Sequence, residues 1–122
     1  MNVYAESSVV LAWLLGEEAG RPVRQVLRRA ELVMASDLTL VECDRVLIRA
    51  VTQQEIDEAA AADRRARLSV AAAHWALWRV SSDIVDRARH TFPAEPARVE
   101  LLSLDDRIRR AGVELGFRLQ PE

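Results

Sequence analysis

The chain contains no lysine; all 17 of its basic residues are arginine. That absence excludes a Walker A phosphate loop, whose lysine sits on the phosphates. It also excludes Schiff-base catalysis, which needs a lysine amine. The phospho-receiver arrangement sets acids at strand ends too, but with a lysine beside them, and goes for the same reason. An arginine bias of this kind fits a GC-rich genome first and phosphate recognition second. Cysteine is nearly absent: Cys43 stands alone, so there is no internal disulfide and no cysteine-built zinc cluster. No long apolar run exists. The longest early one, Ser7 to Gly16, is half of the ~20 residues a membrane span needs. Glu6 precedes it and no basic residue does, which is not the pattern of a signal peptide, so the expected location is the cytoplasm. Ser7 and Ser8 lack the GxSxG elbow of serine hydrolases. His74 and His90 lack any HxxxH or HExxH context and read as packing and as helix-end charge. The net charge of −2 gives no global field toward nucleic acid.

What is present is an ordinary globular composition, half hydrophobic and 30% charged over 122 residues. That length suits one domain, residues 1–122, with a core that needs no staples. Asn2 to Glu6 reads as a short strand, and Ser7 opens a buried helix that Gly16 ends. Val23, Val26, Leu27 and Ala30 recur at helical spacing behind Pro22. Residues 31–36 form a second strand, and Ser36 or Asp37 caps a helix over about 38–50. Alanine-rich residues 53–76 read as helix with a break near Ser69. A third strand is expected over 77–81, then a helix capped by Ser82 or Asp83 with Ile84, Val85 and Ala88 inward. Two prolines make Phe92 to Pro96 a loop. ELLSL (100–104) is a fourth strand. Asp105 or Asp106 opens a last helix with Ile108, Ala111 and Leu115 inward, and an edge strand closes the chain. Strands alternating with amphipathic helices imply an α/β fold around a mostly parallel sheet of four or five strands, with its site at the carboxyl ends of the strands.

Three acids stand where such a site forms. Glu6 ends the first strand, Glu42 lies early in the helix after the second, and Asp105 ends the fourth, two residues after Ser103. Carboxylates gathered at one mouth repel unless a hard cation lies between them, which points to Mg²⁺ or Mn²⁺ and to hydrolysis of a phosphodiester. Acids at helix starts also serve as caps and dipole partners.

The stretches around these acids resemble the PIN-domain family. YAESSVVLAWLLGE resembles its opening motif, DLTLVECDRVL its second, and LLSLDDRIRRAGVELGF its closing one, so the likeness runs nearly end to end. The nearest subgroup is the VapC-type toxins. The resemblance implies a three-layer α/β/α fold and a Mg²⁺- or Mn²⁺-dependent ribonuclease. It further implies RNA as substrate, a homodimer, and inhibition by a cognate antitoxin. Glu6 takes the place of a first acid that is usually aspartate, one methylene shorter. Glu42 matches the second acid and Asp105 the last. Ser103 matches the hydroxyl that steadies the metal or its water, with Ser7 as a helper and Asp106 as a helix-start charge.

The family carries one more helix, with a third acid, between the proline-rich loop and the fourth strand. Here FPAEP runs into ARVELLSLD, so a helix on the order of 15–25 residues is missing between about 96 and 100. Two explanations stand side by side: a true deletion, which would lower metal affinity and bare apolar surface that a partner would cover, or a family helix whose residues are omitted from this sequence. Glu95 and Glu100 flank the junction without matching a motif and read as solvated. A degenerate domain that binds protein but no longer cleaves is the rival expectation, and a small-molecule phosphatase ranks behind both. Trp13, Trp75 and Trp78 read as core or dimer-face residues, and Cys43 as a small buried hydrophobe. Arg64-Arg65-Ala66-Arg67, Arg28-Arg29 and Arg109-Arg110 read as solvated faces, with phosphate contact as the alternative.

Overall fold

The computed structural model describes residues 1–79 and 98–122. The expected cap at Ser82 or Asp83, the Ile84–Val85–Ala88 helix, the Phe92–Pro96 loop, His90, Glu95 and the start of the shortened junction at 96–97 lie outside them. The described elements are β1 (Asn2–Ala5), α1 (Ser7–Leu14), α2 (Gly20–Arg29), β2 (Leu32–Ser36), α3 (Asp37–Thr52), α4 (Glu58–Ala72), β3 (Ala76–Trp78), β4 (Glu100–Leu102), α5 (Asp106–Glu114) and β5 (Arg118–Gln120). The five strands form one parallel sheet in the order β3-β2-β1-β4-β5.

Register sorts the side chains between the two faces. Val3 pairs with Val33 and with Glu100, and Ala5 with Leu102, so Val3, Ala5, Val33 and Leu102 share one face. They join Val9, Val10 and Leu14 of α1, Val23 and Val26 of α2, Cys43 of α3 and Leu68 of α4 in one buried cluster. Helices α1 to α4 therefore cover that face. Leu101 and Leu119, one residue out of phase, point the other way and receive α5. A Cβ on Gly112 would lie 2.5 Å from Leu101 Cδ2 and 3.2 Å from Leu119 Cδ2, so any larger residue would have to displace these leucine ends for α5 to approach this closely. The result is the expected three-layer α/β/α arrangement. Among the described residues no helix is long and apolar enough to cross a membrane.

This topology positions the site. The chain steps from β1 outward through β2 to β3, with its crossovers on one face, then returns to the far side of β1 as β4. From there its connection to β5 runs over the opposite face. The loops leaving β1 and β4 thus diverge, and their carboxyl ends open a crevice at a topological switch point.

Several local expectations change. Helix α4 runs unbroken through Ser69, because that serine is exposed and its helical neighbours Leu68 and Ala72 are buried. The break falls earlier, at 53–57, where Gln54 has φ 58° and Asp57 caps α4 by accepting from Ala60 N–H at 2.7 Å. Of the expected inward face of α5, Ile108 is half-buried, but Ala111 and Leu115 do not face the core. Ala111 is exposed and Leu115 is 60% exposed, whereas Gly112 is buried, so close packing rather than side-chain hydrophobicity orients the helix. His74 is exposed rather than packed. Ser36 does cap α3, accepting from Thr39 N–H at 3.3 Å, and Gly16 and Gly116 end their helices at φ 69° and 88°.

Candidate active site

Glu6 leaves β1 in extended conformation and is the N-cap residue of α1, yet its side chain makes no capping bond. The carboxylate turns toward the crevice and collects three hydroxyl donors. Ser7 Oγ donates to Oε1 at 2.7 Å, Ser103 Oγ donates to Oε2 at 2.9 Å, and Ser8 Oγ also donates to Oε2. Two backbone amides complete a ring: Asp105 N–H donates to Ser103 Oγ at 3.1 Å and Leu104 N–H to Ser8 Oγ at 2.9 Å. The start of α1 and the β4–α5 loop, nearly a hundred residues apart, are sewn together through one carboxylate. Ser103 is completely buried, and every buried side-chain polar atom among the described residues has a partner.

Glu42 lies on α3, exposed, one residue before the buried Cys43. Burial pushes the Cys43 thiol up to about 12, and the negative charges of Glu42 and Glu6 push the same way. The thiol therefore stays protonated and is neither nucleophile nor thiolate ligand at neutral pH. Asp105 is half-buried. Its Oδ1 accepts from Arg107 N–H at 2.9 Å and Ile108 N–H at 3.2 Å, so this carboxylate caps α5. Asp106 is the exposed acid of the first turn of α5, where it complements the helix dipole.

The donor set is of the kind a hard divalent cation takes: carboxylate and hydroxyl oxygens, with the one nearby sulfur held protonated. As the side chains stand, no three His, Cys, Asp or Glu among the described residues are gathered around one point that could hold an ion. Glu6, Ser103 and the Asp105 backbone are brought together, whereas the Asp105 carboxylate is engaged by its own helix and Glu42 stands exposed on α3.

Two residues take roles that the sequence did not suggest. Arg109 is half-buried, not a solvated charge: Nη1 donates to the carbonyls of Ser103 at 2.7 Å and Gln120 at 3.2 Å, and Nη2 to that of Pro121 at 3.0 Å. It ties the chain's last residues to the site strand. The only hint was its position four residues after Asp105, on the helix side facing β5. Glu100 is likewise not solvated. It accepts from Gln120 Nε2 at 2.9 Å across the β4–β5 pair, because strand register sets the two side chains on one face. Trp13 and Trp75 are half-buried against each other, ring centroids 6.5 Å apart.

A family model described as PIN domain matches residues 3–111. No curated protein matches the chain.

Proposed function

Because the chain belongs to the PIN domain family, a nuclease-type fold, we propose that it is a divalent-metal-dependent endoribonuclease. Following the VapC-type likeness of its three motifs, it acts as the toxin of a type II toxin–antitoxin pair. On this reading it is a cytoplasmic homodimer held inactive by a cognate antitoxin. The observation that supports the reading best is the Glu6–Ser103 hydrogen bond at the switch point.

Glu6, Glu42 and Asp105 would hold Mg²⁺ or Mn²⁺. When bound, such an ion lowers the pKa of a water and polarises a phosphoryl oxygen. The chain's own contribution is orientation. Ser7, Ser8 and Ser103 fix both oxygens of Glu6, whose extra methylene would otherwise leave it loose in an aspartate's place. The buried Ser103 hydroxyl is itself held by Asp105 N–H, so the hydroxyl and the last acid keep a constant relation. The capping bonds of Asp105 hold its Cα–carboxylate vector at the crevice rim. The test is cleavage of RNA with added Mn²⁺ by wild type and Asp105→Asn. Metal-dependent cleavage that the substitution abolishes is expected; equal cleavage by both, or none, overturns the reading.

A second reading has its own support: Glu6 is engaged by three hydroxyls, Asp105 by its helix, and no three ligating side chains stand together among the described residues. That is the arrangement of a domain that keeps the fold and a protein-binding surface without the chemistry. Calorimetry with Mn²⁺ separates the two, since micromolar binding accompanied by turnover eliminates the second.

A further inference from the structure

The described arginines sort by what their guanidinium groups touch. Arg65 pairs with Asp44 at 2.6 Å, and Arg64 and Arg67 pair with Asp63 at 3.6 and 3.2 Å. Arg118 faces Glu100 at 4.0 Å, and Arg109 is held by three carbonyls. Each arginine of the run at 64–67 is therefore paired, two of them sharing Asp63 of their own helix and one meeting Asp44 of α3. A different group has no such partner. The arginines of α2, Arg45 and Arg49 of α3, and finally Arg79 and Arg107 have exposed side chains that form no ion pair or hydrogen bond with any described residue.

Topology places Arg79 and Arg107 at the mouth. Arg79 directly follows Trp78, the last residue of β3, and Trp78 lies level with Ser36, which caps α3 at the carboxyl edge of the sheet. Arg107 is the second residue of α5, two positions after Asp105. Strands lie ~4.8 Å apart, so Arg79 sits about two strands to one side of Glu6 and Arg107 about one strand to the other. Arg28 and Arg29, also exposed, end α2 just before β2 begins and so occupy the opposite end of the sheet.

We infer that Arg79 and Arg107 form a two-point clamp on the backbone of single-stranded RNA, each gripping a phosphate on one side of the acidic crevice. The inference takes its ligand class from the ribonuclease reading above. A guanidinium pairs with phosphate through two parallel donors and keeps its charge at any working pH. Two isolated guanidiniums flanking a carboxylate-lined crevice suit a ligand whose anionic groups recur along a line. A compact acidic protein patch would instead set charge against Glu6 and Asp105.

The experiment is fluorescence anisotropy of a short labelled single-stranded RNA in chelator, where nothing is hydrolysed. It compares wild type, Arg79→Gln, Arg107→Gln, their double variant, and Arg28→Gln/Arg29→Gln as the far-end control. Each rim substitution is expected to weaken binding about tenfold. Each should also flatten the salt dependence by about 0.7 in the log–log slope, the single-strand value per phosphate. The control should match wild type. The clamp is overturned if the rim variants bind like wild type, if the far-end pair loses as much, if affinity falls with the slope unchanged, or if wild type binds no RNA. Failure of the catalytic reading looks different: RNA held through the rim arginines by a chain that never cleaves with Mn²⁺ leaves the clamp standing. Cleavage and binding undiminished by loss of both arginines does the reverse.

Discussion

Replacing Ser103 with alanine removes one oxygen atom from a fully buried position, and the structure sets the cost. The hydroxyl donates to Glu6 Oε2 at 2.9 Å and accepts from Asp105 N–H at 3.1 Å. A hydrogen bond to an ionised group is worth about 1.5–3 kcal/mol net; Glu6 keeps two other donors, so the loss falls at the lower end, about 1.5 kcal/mol. Asp105 N–H is left without its acceptor, which costs about 1 kcal/mol for a part-buried donor. The small void adds roughly 0.5 kcal/mol. The expected total is about 3 kcal/mol, a large share of a typical stability of about 5–15 kcal/mol. Urea denaturation followed by circular dichroism checks it: at an m-value of about 2 kcal/mol per molar, the midpoint falls by roughly 1.5 M with m unchanged. Ser7→Ala is the internal comparison. It removes one half-buried bond at 2.7 Å and should cost about 1 kcal/mol. Ser103→Ala within about 0.5 kcal/mol of wild type, or equal to Ser7→Ala, would refute the claim that this hydroxyl holds the crevice together.

Asp105→Asn keeps a side-chain oxygen for the Arg107 and Ile108 amides and should leave stability within about 0.5 kcal/mol of wild type, whereas Asp105→Ala should cost about 1 kcal/mol in the same titration. Arg109→Ala removes three bonds to carbonyls, and about 1.5–3 kcal/mol of destabilisation is expected, with exchange of the Ser103 amide accelerating because its acceptor Gln120 is released. Cys43 should resist alkylation at pH 8 in the folded protein and react once the chain is unfolded, as read by mass spectrometry. The sign of its pH effect follows from the same shift. Below the ordinary thiol value near 9.0 both states keep the proton. As pH rises toward about 12 the unfolded chain releases it while the folded chain holds it, so stability declines across that window. Cys43→Ala should remove that part of the alkaline decline.

Much of this architecture was legible because it follows from local chemistry. Ser36 before a helical repeat, Gly16 and Gly116 after one, and β-branched runs between them fix where elements begin and end. The coming together of Glu6 and Ser103 was legible only through motif resemblance; no local signal links positions so far apart. What escaped was decided by packing. Nothing at Gly112 announces a core residue, since its contribution is the absence of a side chain between Leu101 and Leu119. Arg109 looks like its solvated neighbour Arg110 until the C-terminal carbonyls are placed beside it. The orientation of Asp105 toward its own helix rather than toward Glu6 is a competition between a cap and a site, which spacing cannot decide.

The central place of β1 has a consequence for synthesis. Its β2 neighbour emerges within the first third of the chain, but the other flank stays bare until residues 100–102 arrive, several seconds later at about 5–20 residues per second. Until then Glu6 has only its local serines, and Arg109 has no tail to fasten. A nascent chain thus pairs β1 with β2 well before the Glu6–Ser103 hydrogen bond can close the crevice between β1 and β4.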